Sequence, residues 1–130
     1  MIKIKLIIIF SLLLINCEKS LQENMLGVWV IEEMTVDGKD FLNQLNIKTI
    51  SFNKNKINIP SHAGFPIVEN TEFLLLKSET SDSLIIYSNS KAFNGRYQML
   101  FSIDNNDNSI YAKLISKKRK LIIHKVPLLN

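Results

Sequence analysis

Eight short apolar runs, each closed by a polar or glycine-bearing turn, fill the chain between residues 25 and 126, and this spacing restricts the fold more than any other feature. The clearest run places Tyr97, Met99, Phe101 and Ile103 on one face and Arg96, Gln98 and Ser102 on the other, the period-two pattern of a strand with one dry and one wet side. Ile50 with Phe52, and Ile57 with Ile59, repeat the device on either side of Asn53-Lys54-Asn55. Asp37-Gly38 suits the positive φ angles of a tight hairpin turn. Residues 60–66 hold two prolines and Gly64, so they predict a loop. Residues 40–45 have apolar spacings of three and four and predict one short helix after the first strand. With no room for crossover helices, neighbouring strands must pair antiparallel, as in a meander, a sandwich or an up-and-down barrel. An all-β antiparallel barrel of about eight strands is the expectation, because closure leaves no strand edge exposed.

The other constraint lies ahead of the strands. Lys3 and Lys5 precede an apolar stretch at residues 6–15, which is too short to span a bilayer core needing about 20 apolar residues. It ends at Leu14-Ile15-Asn16-Cys17, where Cys17 is the only cysteine of the chain. A single thiol forms no internal disulfide. The segment resembles the lipobox of bacterial lipoproteins, with Leu14 three positions before the modified cysteine and Asn16 departing from the usual Gly, Ala or Ser. The resemblance implies a signal peptide at residues 1–16, a lipid on Cys17, a tether over residues 17–24 and a domain over residues 25–130. Localisation is then the bacterial cell envelope, with the membrane as partner.

Removal of the leader takes the basic residues from 16 to 14 against 12 acids, so the formal charge falls from +4 to +2. Such a balance excludes a nucleic-acid footprint, which needs clustered cations. The short cluster Lys117-Lys118-Arg119-Lys120 lies between two apolar runs and predicts a solvated hairpin turn.

Catalysis has little support in the residues. His62 belongs to the 60–66 loop and His124 to the last strand, and neither has a neighbour at metal-ligand spacing. Glu32 and Glu33 must point to opposite sides of a regular strand. No phosphate loop, nucleophile elbow or dinucleotide fingerprint is present. The expectation is a protein that is not an enzyme and uses neither metal nor cofactor. The first strand poses a question of parity. With Trp29 inward, strict alternation puts Ile31, Glu33 and Thr35 beside it, whereas the more apolar row is Val28, Val30, Glu32, Met34 and Val36. Either a bulge switches faces after Trp29, or Glu33 and Thr35 enter a polar upper interior.

Leu26-Gly27-Val28-Trp29, at the start of the first strand, resembles the Gly-x-Trp opening of lipocalins and of lipocalin-like domains in small bacterial lipoproteins. The Asn- and Lys-rich turns make it most similar to those of Bacteroidota-type bacteria. The resemblance implies an up-and-down barrel whose tryptophan packs at the closed end beneath a basic residue of the last strand region, Arg119 or Lys120. It also implies a binding module for a small apolar ligand, met by Trp29, Glu33, Thr35, Phe52, His62 and Tyr97, with specificity in the His62 loop. The competing expectation is a filled barrel whose surface meets an envelope protein partner. Inward-facing Phe52, Tyr97, Met99 and Phe101 serve both, since the same side chains line a pocket or plug it.

Overall fold

The computed structural model describes residues 21–64 and 71–127. Cys17, the leader, and residues 65–70 of the region around the expected loop lie outside them. Nine antiparallel strands form one sheet: β1 (Gly27–Val36), β2 (Lys39–Asp40), β3 (Thr49–Asn53), β4 (Lys56–Asn58), β5 (Glu72–Leu76), β6 (Asp82–Tyr87), β7 (Gly95–Ile103), β8 (Ile110–Ile115) and β9 (Arg119–Lys125). The last strand returns to the first, pairing from Trp29↔Lys125 to Val36↔Arg119. The sheet is thus a closed eight-strand barrel with β2 as an extra strand on β1.

The turns follow their residues. Asp37 and Gly38 adopt φ of 52° and 76°, the double positive φ that closes the β1–β2 hairpin with the strand twist. That hairpin also shortens the expected helix. Asp40 is committed to β2, and its carboxylate accepts the Leu42 N–H at 3.1 Å, so only a 3-10 turn, Leu42–Gln44, remains.

β1 resolves its parity by a bulge. Ile31 pairs with Ile123 and Glu33 with Ile122, leaving Glu32 as the extra residue. Trp29 and Ile31 point inward before it and Met34 after it, all buried, with Val36 packed on the same core. One inserted residue thereby keeps both apolar halves of β1 on the inner face.

The interior holds Trp29, Ile31, Met34, Ile50, Phe52 and Ile57 from the first strands and Leu84, Ile86, Tyr97, Leu114, Leu121 and Ile123 from the later ones. Phe52 meets Phe73 edge to face at 5.1 Å. Phe101 and Ile103 correct the expectation of an inward row running the length of β7, being 37% and 63% exposed. The pairing with β6 ends at Met99↔Asp82, whereas that with β8 continues to Ile103↔Ile110. From Leu100 onward β7 has lost one neighbour and runs past the covered part of the wall.

Below the barrel, α1 (Leu21–Met25) occupies residues expected to finish the tether. Its Leu21 and Met25 lie one turn apart and pack on the core, and Met25 is fully buried. Gln22 donates to the Lys54 carbonyl at 3.2 Å, which fixes the helix to the β3–β4 turn.

Candidate functional site

The inward row of β9 is Arg119, Leu121, Ile123 and Lys125, a cation at each end of an apolar pair. Both cations close the barrel. At the lower end, the Lys125 Nζ lies 5.9 Å from the centre of the Trp29 ring and donates to the Asn24 carbonyl at 3.0 Å. The Trp29 indole N–H donates to the Met25 carbonyl at 2.9 Å. Aromatic face, cation and helix end thus satisfy one another. At the upper end, the Arg119 guanidinium lies 5.5 Å from the Tyr97 ring centre and donates to the carbonyls of Lys91, at 3.1 Å, and Asn94. Gly95 leaves room for it: a Cβ there would stand 2.9 Å from Arg119 Nη2, and its φ of 137° is one that other residues rarely adopt.

Tyr97 completes this upper closure. Its hydroxyl donates to the Phe93 carbonyl at 2.7 Å. Burial pushes its ionisation up to about 12, opposed only in part by the charge and hydrogen bond of Arg119. The phenol is a neutral hydrogen-bond donor over the whole physiological range.

The cation across the tryptophan is therefore Lys125, not Arg119 or Lys120. Arg119 belongs to the opposite closure, and Lys120 turns outward to Glu33 at 2.8 Å. Sequence reasoning missed Lys125 because its place opposite Trp29 exists only once the first and last strands are paired. Arg119 and Lys120 also open β9, so the basic cluster is only half turn.

The six residues expected to meet a ligand fall into three places. Trp29, Phe52 and Tyr97 are in the core, at 0%, 2% and 0% exposure, as part of its packing. Glu33 and Thr35 follow the Glu32 bulge on the outer wall; Thr35 stands opposite Lys120 in the register. His62 sits apart, its backbone bridged to Leu45, its ring 5.1 Å from that of Phe41 and its Nδ1 3.0 Å from the Ala63 carbonyl. The bulge separates Glu33 and Thr35 from the interior, so they share no polar cavity with Trp29. His124 faces the Glu32 carboxylate on the outer wall, with its ring beside Tyr111.

Among the described residues, two open grooves flank the lower end. One of about 140 Å³ runs between residues 107–110, Lys125 and Pro127. Next to it, Ser109 hydrogen bonds hold the Asp107 carboxyl below its ordinary range. The other, about 240 Å³, is lined by Gln22, Lys54, Asn55, Phe73, Leu74 and Leu75. Among the described residues, no three His, Cys, Asp or Glu side chains are gathered where they could hold a metal ion, and no helix is long and apolar enough to cross a membrane.

These features define a closed antiparallel β-barrel with a cation-capped aromatic at each end. Compared with protein-family models, curated proteins and solved structures, the chain matches none.

Proposed function

We propose that this chain is a lipid-anchored β-barrel module of the bacterial cell envelope that acts through its outer surface and carries no chemistry of its own. One observation favours surface action over an internal ligand. The side chains that would line a ligand site, Trp29, Phe52 and Tyr97, are themselves enclosed at 0–2% exposure, Trp29 and Tyr97 bonded into the two closures and Phe52 packed against Phe73. An interior ligand of ordinary size needs a pocket of about 300 Å³ or more, into which such groups project. The anchor reading rests on Cys17 and the ten-residue stretch at 6–15, apolar but for Ser11. Two or more acyl chains give stable membrane attachment, whereas one binds only marginally, at roughly 10⁴ M⁻¹.

Labelled fatty acid supplied to the native host tests the anchor. Cys17 is expected to take up label and the protein to fractionate with membranes, with both lost in Cys17→Ser. Unlabelled wild type in the soluble fraction refutes the anchor. Titration with fatty acids, sterols and pigments, followed by Trp29 fluorescence, tests surface action. No saturable change is expected, and a saturable change returns the reading of an apolar-ligand module.

A further inference from the structure

The outer wall of the barrel is unevenly dressed. Over β1 and β9 it carries the pairs Glu33–Lys120 and Glu32–His124. Over β5 and β6 the middle of the outer face is apolar, between Glu72, which stands opposite Tyr87, and Ser83, which stands opposite Leu76 and accepts from Arg96. Leu74 stands opposite Ile85, and Tyr87 lies two residues further along the same face, diagonal to Leu74. Leu76 extends the row below. Leu74, Leu76 and Tyr87 are 46%, 37% and 51% exposed, a contiguous grouping where the register alone would allow polar residues. Exposed Lys54 and Lys56 of the β3–β4 hairpin, and Lys77 after β5, rim this face, with Glu72 opposite Lys56.

The chain enters the domain beside this patch. Gln22 and Leu74 line the same groove, and Gln22 is bonded to the Lys54 carbonyl. Cys17 precedes Leu21 by four residues. Fully extended, those residues reach at most about 14 Å. The polar interface of one leaflet is itself roughly 5–7 Å deep. An acyl group on Cys17 therefore holds this side of the barrel at the headgroups. A leucine pair, a tyrosine and surrounding lysines match that boundary: apolar stems enter, the phenol stays at the wet edge and the ammonium groups meet lipid phosphates.

We propose that the outer face of β5 and β6, rimmed by Lys54, Lys56 and Lys77, is a membrane-contact surface that lies flat on an anionic bilayer. It is a second attachment, weak by itself, that orients the domain and leaves the polar β1–β9 wall facing away from the lipid. This inference rests on the Cys17 anchor proposed above.

The test uses the full chain, produced in its host and placed in phosphatidylcholine–phosphatidylglycerol vesicles containing doxyl-labelled lipid. A nitrobenzoxadiazole probe is attached separately at Leu74→Cys, Leu76→Cys and, as the remote exposed site, Ile47→Cys; acylation of Cys17 is checked by mass. With Cys17 acylated, the probes at 74 and 76 are expected to shift to the blue and to be quenched severalfold more by doxyl lipid than the probe at 47. Equal, water-like emission and quenching at all three sites on acylated protein overturns the contact surface and leaves the anchor intact. An unacylated Cys17 overturns the anchor and the contact surface together.

Discussion

Lys125 faces Trp29 across the line where the first and last strands meet, its Nζ 5.9 Å from the ring centre, while the indole N–H is bonded to the end of α1. Three parts of the chain far apart in sequence are thus held at one point. Trp29→Ala is expected to lower unfolding free energy by about 3–5 kcal/mol. Trp29→Phe keeps most of the buried area and loses the Met25 bond, a cost of about 1–3 kcal/mol. Urea unfolding separates the two. A loss for Trp29→Phe of well under about 1 kcal/mol refutes the role assigned to the indole hydrogen bond.

The Glu32 bulge makes a prediction about deletions. Removing Glu32 leaves Trp29, Ile31, Met34 and Val36 in regular alternation and keeps their partners on β9. The deletion variant should retain a cooperative β-type transition. Removing Ile122, which has no bulge to absorb the change, throws residues on one side of the gap to the wrong face and should abolish folding. Circular dichroism during thermal melting distinguishes the pair, and the opposite ranking refutes the bulge as the device that sets parity.

Gly95 and Arg119 should behave as one unit. Gly95→Ala meets both a positive φ and the guanidinium at 2.9 Å, and should cost about 1–3 kcal/mol. Arg119→Ala removes charged bonds to two carbonyls, worth about 1.5–3 kcal/mol each at most. The double variant should lose less than the sum, since the clash disappears with the arginine. Strict additivity in a double-mutant cycle refutes the contact.

Alkaline pH should weaken the fold through Tyr97. Its hydroxyl ionises at about 12 in the folded protein, above the ordinary value of 10.0 that it regains on unfolding. The folded state then holds a proton that the unfolded state releases, so this contribution is intact below pH 10 and declines as pH rises toward 12. The decline is on the order of 2–3 kcal/mol. Tyr97→Phe should flatten this part of the stability profile, as measured by urea midpoints across the range; an unchanged slope refutes the assignment.

Phe101→Ala should cost less than about 1 kcal/mol, because the ring stands beyond the end of β6 pairing. Phe93→Ala, at a fully buried position, should cost about 3–5 kcal/mol. Chemical denaturation compares them.

Strand positions were legible from alternation because the residues 50 and 52, 57, 84 and 86, and 97 and 99 carry their apolar groups on one side. The extent of the barrel was not. Whether Phe101 is covered depends on how far β6 runs beside β7, a property of neither strand alone. The parity of β1 left two readings open, since a bulge leaves no local mark when the extra residue is one glutamate beside another. For the same reason Glu33 and Thr35 could be assigned either to an interior site or to the outer wall. Lys125 was hidden among lysines, and only the closing register singles it out. The docking of residues 21–25 escaped a composition-based reading because two apolar side chains one helical turn apart suffice to seat a helix on a finished core.

Closure also decides how the domain answers a mechanical load. A pull applied at Leu21 passes through α1 into β1, which is hydrogen-bonded to β9 on one flank and to β3 and β2 on the other. Tension along β1 loads these crosswise bonds in shear, many together, instead of opening them one by one. β5 holds β4 through the single register pair Lys56↔Glu72. Drawn from its N-terminal side, the first strand is thus held by many register pairs, against the one pair at the β4–β5 seam, whose backbone bonds run from Ile57 to Thr71 and from Phe73 to Asn55.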